Sequence, residues 1–388
     1  MEGGESSSSS PGLQPPSRKR ARTRENITVG NHNNINHSTS IATTSSTTTT
    51  TTTTNGGGTT VDHDASVEQD PACIKTLSGH FNWVSLVLEI GDNRIISGSY
   101  DKSIKLWDLN LTGSSTKATT NENNDTFSNN NDHNDEESNS CCVRTFTGHT
   151  ATVFCIALIG SHGDKFVSGS VDNHIKLWDL HTGKCLRTFR GHFDSVESIA
   201  AIGDDTFISG SSDNTIKVWN WKTGECLFTF KESSGAVWGV ATIGNDLLSV
   251  HDKEIKMWNL DTKSVLKTFD GHTKDVWSIA VLDGGTQFIS GSSDATIKLW
   301  DIASGDCIRT FKGHCGSVES VAILGNDTFV SGSWDRTIKL WNIHTGECIH
   351  TYHGHAKHVS SVACAARDEI FVSSSSDRTI KIWKISST

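Results

Sequence analysis

The chain has 388 residues, 20% of them charged, and a formal net charge of −10. No apolar run approaches the roughly 20 residues that span a bilayer as a helix, and the opening MEGGESSSSS lacks the apolar core of a secretory leader. The expected location is therefore nucleus or cytoplasm, without membrane attachment. The charge is unevenly spread: residues 1–70 hold five basic and seven acidic residues, residues 110–140 one lysine and six acids, and the rest is nearly neutral. A nearly neutral body lacks the basic face that nucleic acid demands, so nucleic acid is not the expected main partner.

Residues 1–70 read as a disordered low-complexity tail. They carry runs at Ser6–Ser10 and Thr47–Thr54 and too few apolar residues to offset the entropy of ordering. Within them, Arg18, Lys19, Arg20, Arg22 and Arg24 form a basic cluster of the kind read as a nuclear import signal; the plain alternative is a solvated charge run.

From residue 71 to about 386 one unit recurs seven times. Its clearest copy, residues 313–343, reads GHCGSVESVAILGNDTFVSGSWDRTIKLWNI. The pairs Asp101/Trp107, Asp172/Trp178, Asp213/Trp219, Asp252/Trp258, Asp294/Trp300, Asp335/Trp341 and Asp377/Trp383 keep a six-residue offset, and successive tryptophans are 71, 41, 39, 42, 41 and 42 residues apart. A fixed period near forty marks a repeat architecture. Each unit reads as four short strands a to d; in the third they are SVESIA, TFISGS, TIKVWN and ECLFTF, with alternating apolar residues and Gly, Asn or Asp in the turns. Lysine stands two residues before every repeat tryptophan, with its stem expected along the sheet and its head in solvent. The 71-residue step comes from an insertion rich in Asn, Ser, Thr and acids, residues 110–140, expected to be a disordered loop between strands c and d of the first unit.

The period and the GH…W[DN] pattern over about residues 72–385 resemble the WD-repeat (WD40) family. The resemblance implies an all-β fold, a single seven-bladed β-propeller. The segment ACIKTL, residues 72–77, matches the later d strands, while the chain after Trp383 has no d strand of its own. In the family such an arrangement implies that the N-terminal strand completes the last blade and leaves no open edge.

The resemblance also implies a buried network in which Asp pairs with His, His with Ser, and Ser with the Trp indole. The sets are His80/Ser97/Asp101/Trp107, His149/Ser168/Asp172/Trp178, His192/Ser209/Asp213/Trp219, His272/Ser290/Asp294/Trp300, His314/Ser331/Asp335/Trp341 and His355/Ser373/Asp377/Trp383. A Ser-His-Asp triad is the competing reading. A catalytic site occurs once rather than six times, and no GxSxG elbow accompanies any copy, so no catalytic residue is assigned. The fourth unit departs: Glu232-Ser233-Ser234-Gly235 replaces the Gly-His segment, and Ser249-Val250-His251-Asp252 is one residue short, so the network is not expected to close there as elsewhere.

The SGS segments lack the helix and the Gly-Lys-Ser/Thr ending of a phosphate-binding loop. Ten cysteines without a CxxC pair read as reduced, buried thiols; Cys73, Cys142, Cys185, Cys226, Cys307 and Cys348 share one position in different units. No metal or cofactor is expected, and no small-molecule substrate.

The expected role is a non-catalytic scaffold or adaptor, a monomeric propeller within a multiprotein complex. Its partner site is placed on the Gly-His loop face at Trp83, Tyr100, Phe154, Trp238, Trp277 and Trp334, where other copies carry Ser, Glu or Thr. One alternative is the substrate-recognition subunit of a ubiquitin ligase; against it, residues 1–70 hold no segment resembling an F-box, and the family's contact positions carry no Arg for a phosphorylated degron. A nuclear RNA- or chromatin-associated propeller is the other alternative.

Overall fold

The computed structural model describes residues 70–111, 141–160, 163–231, 235–325, 327–365 and 370–385. Residues 1–69 of the tail, with its basic cluster, and residues 112–140 of the insertion lie outside these residues. The described residues form 28 strands and no helix. The strands make seven four-stranded antiparallel sheets, each a blade with strands ordered a, b, c, d, consecutive in sequence in all but the seventh.

The innermost strand of each blade is strand a: Val84–Gly91, Val153–Ile159, Val196–Ile202, Val237–Ile243, Val276–Val281, Val318–Ile323 and Val359–Cys364. Each packs against the strand a on either side, and the ring closes where Val84–Gly91 meets Val359–Cys364. The expectation of a seven-bladed propeller is thus met, and so is its closure. Strand d of the seventh blade is Cys73–Leu77, paired antiparallel with Ile380–Lys384 through Leu77↔Ile380, Thr76↔Lys381 and Cys73↔Trp383.

The core lies between blades. One cluster joins Cys155, Val167, Ile175 and Phe189 of blade two to Val196, Ile199, Phe207 and Trp219 of blade three, and similar clusters recur at the other junctions. This packing explains the small-residue SGS motif. A Cβ on Gly332 would lie 2.7 Å from Val359 Cγ1 of the next blade, closer than real atoms approach.

The first valine of every strand a is followed by a register shift, so the next residue is the extra one of a β-bulge. Bulges re-aim side chains at the rims of sheets. The bulged residues are Ser85, Phe154, Glu197, Trp238, Trp277, Glu319 and Ser360, all different in kind from the invariant valine before them.

Two expectations need correction. The shared-position cysteines are not all buried: Cys185, Cys226, Cys307 and Cys348 are exposed, because strand d is the outer edge of its blade. The repeat lysines do not simply end in solvent either. Lys105, Lys176, Lys217, Lys298, Lys339 and Lys381 donate to a strand-d threonine hydroxyl at 2.8–3.0 Å.

Candidate functional site

The six Asp-His-Ser-Trp sets share one geometry. In blade six the Trp341 indole N–H donates to Ser331 Oγ at 2.8 Å, Ser331 Oγ lies 2.7 Å from His314 Nε2, and His314 Nδ1 lies 2.7 Å from Asp335 Oδ2. The indole can only donate and the ionised carboxylate can only accept. The serine therefore accepts from tryptophan and donates to Nε2, and Nδ1–H donates to aspartate, so a neutral imidazole satisfies every group. Burial holds the His80, His192 and His355 imidazoles below their ordinary pKa despite the aspartate bond. The aspartates go the other way: burial would raise Asp335, but the hydrogen bonds from His314, Thr337 and the Cys315 backbone outweigh it and hold the carboxyl well below the usual range.

Blades one, two, three, five and seven repeat these contacts. His80, His149, His192, His272 and His355 reach Asp101, Asp172, Asp213, Asp294 and Asp377 at 2.7–2.9 Å. The same rings reach Ser97, Ser168, Ser209, Ser290 and Ser373 at 2.7–2.8 Å. Trp107, Trp178, Trp219, Trp300 and Trp383 donate to those serines at 2.7–2.9 Å. All six serines are fully buried beneath a tryptophan. A hydrolytic serine must meet a substrate carbonyl, and no substrate reaches an oxygen so enclosed.

Blade four solves the same problem differently. Trp258 donates to Ser249 Oγ at 2.7 Å, and His251, from strand b itself, lies 2.7 Å from the same oxygen. The histidine absent from the Gly-His position is thus replaced by one two residues after the serine. Asp252 takes no part; it sits in the shortened b–c turn at φ 44°.

The Gly-His loops and the b–c turns lie together on one face: Tyr100 N–H donates to Trp83 C=O at 3.0 Å, and Trp334 N–H to Ser317 C=O at 2.9 Å. The six aromatics expected there fall into three groups. Trp83, Tyr100 and Phe154 form a chain with centroids 5.2 and 5.7 Å apart, in which Phe154, 4% exposed, supports Tyr100 from beneath. Trp238 and Trp277 lie 5.5 Å apart at 59°. Trp334, 41% exposed, stacks on His358 at 4.7 Å.

Three features of the site went unread in the sequence. Phe81 and Phe193, each following a Gly-His pair, are 87% and 86% exposed, and that position is aromatic in two of six copies. Two bulged glutamates are buried. Burial pushes Glu319 up to about 8 against the opposing bonds from Ser317 and Trp334, and burial raises Glu197 well above its ordinary value against the bond from Ser212. Finally, strand-d cations clasp the next blade: Arg187 donates to Thr223 and Lys222 carbonyls, Arg309 to Thr345 and His344, and Lys75 to Leu109 and Leu111.

Among the described residues no group of three His, Cys, Asp or Glu side chains converges as metal ligands, and no helix is long and apolar enough to cross a membrane.

The WD domain, G-beta repeat family model matches residues 71–108, 140–179, 183–220, 263–301, 305–342 and 346–384, more than half of the chain. The fourth unit, with its substituted histidine, falls between the matched stretches. Among curated relatives, the "Ribosome biogenesis protein WDR12 homolog" of Drosophila mojavensis is 34% identical over 141 residues, covering 32% of this chain and 34% of the relative. That of Culex quinquefasciatus is 30% identical over 140 residues, 32% of this chain and 33% of the relative. "Mitochondrial division protein 1" of Saccharomyces cerevisiae is 33% identical over 124 residues, 32% of this chain and 16% of the relative. The aligned stretches span about a third or less of these relatives' length.

Proposed function

Because the chain belongs to the WD40 family of G-beta repeats, we propose that it is a non-catalytic scaffold that holds partner proteins against the Gly-His face of the propeller. Propellers of this family serve as protein-interaction platforms, and relatives named for ribosome biogenesis and mitochondrial division fit a role in assemblies. The observation that carries the reading is the aromatic content of one face: Phe81, Trp83, Phe193 and Trp334 are exposed or half-buried there, and Trp238 and Trp277 are half-buried beside them. Aromatic side chains dominate binding energy in interfaces, and truncating one costs about 2 kcal/mol or more at a hot spot. The alternative chemistry, hydrolysis at the six triad-like sets, is opposed by the burial of every serine.

Affinity purification followed by mass spectrometry tests the proposal. Trp277→Ala and Trp334→Ala should each keep the wild-type circular dichroism spectrum while losing co-purifying proteins. Variants that retain every partner would move the site to the 110–140 insertion or the tail. Within the same reading, the basic cluster Arg18–Arg24 acts as a nuclear import signal; replacing its five basic residues with Ala should shift a fluorescent fusion out of the nucleus, and an unchanged distribution would reduce it to a charge run.

A further inference from the structure

In six blades the turn aspartate is taken up by a buried histidine. Blade four breaks that pattern, and its hairpin, one residue shorter, turns through Asp252 and Lys253. The backbone C=O of Asp252 accepts from Val276 N–H of blade five at 2.7 Å. That bond draws Asp275, the residue before Val276, alongside Asp252. The closeness registers electrostatically: partial burial and the Asp252 charge both push the Asp275 carboxyl above its ordinary pKa. Both aspartates are exposed on the Gly-His face.

Two tryptophans complete the arrangement. Trp238 and Trp277, the bulged residues of blades four and five, lie 5.5 Å apart with their planes at 59°. The Trp238 indole N–H points at Asp252 Oδ1, 3.4 Å away, and Trp277 Nε1 donates to Ser293 Oγ at 2.5 Å. Among the described residues neither Asp252 nor Asp275 belongs to an ion pair. The nearest basic residues in sequence, Lys253 and Lys274, are exposed.

Like charges held together raise one another's energy, and a cation relieves both at once. Indole faces attract the same ion through their quadrupole. We infer that Trp238, Asp252, Asp275 and Trp277 form a site for an arginine side chain of a partner protein. A guanidinium is favoured over an ammonium because it is planar. It can stack on an indole while its fork of N–H groups donates to both carboxylates, whereas lysine offers a compact, strongly hydrated point charge. The inference rests on the reading of this face as a protein-binding surface and names the chemistry of what it binds. It also accounts for why blade four departs from the repeat: the deviation frees an aspartate that the other blades hold in their network.

Fluorine NMR of the full chain labelled with 5-fluorotryptophan tests it, with Trp238→Phe and Trp277→Phe assigning the two resonances. The probes are N-acetyl-arginine amide, N-acetyl-lysine amide and N-acetyl-citrulline amide, the last a neutral copy of arginine. Both resonances should move saturably with the arginine probe, several-fold less with lysine at equal concentration, and not with citrulline. Asp252→Asn/Asp275→Asn, or Asp275→Asn alone should the double variant melt early, should flatten the arginine response. Silence of both resonances, an equal response to citrulline, an equal response to lysine, or a folded Asn variant that still responds fully would each overturn the assignment. Failure here would leave the scaffold reading standing, since that reading falls only if the face proves dispensable for co-purification.

Discussion

Lys381 on the last strand donates from Nζ to Thr76 Oγ1 on the first strand at 2.9 Å, across 305 positions of sequence. The same contact joins neighbouring strands in other blades, but here it ties the two ends of the propeller. Leu77, fully buried, sits behind it, and Lys384 N–H donates to Ala72 C=O at 2.9 Å. Asp70 is part of the fastening: its Oδ2 accepts from His353 N–H at 3.1 Å. Removing residues 1–69 should therefore leave the melting transition nearly unchanged. Removing residues 1–77 should expose the edge of Ile380–Lys384 and bring loss of solubility. Identical melting and solubility of the two truncations would defeat this account of closure.

The network makes a graded prediction. Asp335 accepts from His314, from the backbone N–H groups of Cys315 and Thr337 at 3.0 and 2.9 Å, and from Thr337 Oγ1 at 2.6 Å. Asp335→Ala strips all four and should cost about 1–3 kcal/mol or more in denaturant unfolding. Among the described residues the Asp252 carboxylate accepts only the long bond from Trp238. Asp252→Ala should cost well under 1 kcal/mol, as expected for an exposed residue outside such features. Equal costs would mean that the histidine bond is not what stabilises a blade.

Much of this was legible before any coordinates, and the reason is redundancy. Each strand, turn and network position is written six or seven times, so the period and the Asp/Trp offset mark the blades without weighing any single residue. What stayed hidden was whatever occurs once. His251 reads as the loss of a repeat serine, and only the 2.7 Å contact between its Nε2 and Ser249 Oγ shows the ring turned back onto that serine. The bulge that sets Trp238, Trp277, Glu197 and Glu319 at one level leaves no mark in composition, because a one-residue shift is a property of pairing. Thiols are usually buried, but at Cys185, Cys226, Cys307 and Cys348 the outer position of strand d overrides that preference.

Gly332 offers a test of packing between blades. Its missing side chain makes room for Val359 Cγ1, 2.7 Å from where a Cβ would stand, and for Val362 Cγ1 at 3.2 Å. Both belong to a β-strand core with little slack. Gly332→Ala should destabilise by about 1–3 kcal/mol through overpacking. Adding Val359→Ala should recover part of that loss, so that the double variant is less destabilised than the sum of the two singles. Strict additivity in urea melts would show that the two residues do not press on each other.

Glu319 predicts an unusual pH dependence. It follows the first valine of its strand, is buried, and accepts from Ser317 Oγ at 2.8 Å and from the Trp334 indole. Burial dominates and raises its pKa from 4.5 to about 8. The folded state thus binds a proton that the unfolded chain releases between those values. A raised folded pKa contributes stability that is fully present below about pH 4.5 and lost as the pH climbs through about 8. Glu319→Gln is neutral at every pH and nearly the same shape. Its melting temperature should match wild type near pH 5 and exceed it by several degrees near pH 9, where the wild-type carboxylate is ionised in a dry site. Glu197 occupies the same position in blade three and is raised by burial as well, so the wild-type slope has a second contributor. Subtracting the variant from wild type at each pH cancels that contribution and isolates Glu319. A difference that is flat from pH 5 to 9 would show that this glutamate is already ionised, and solvated, on the folded face.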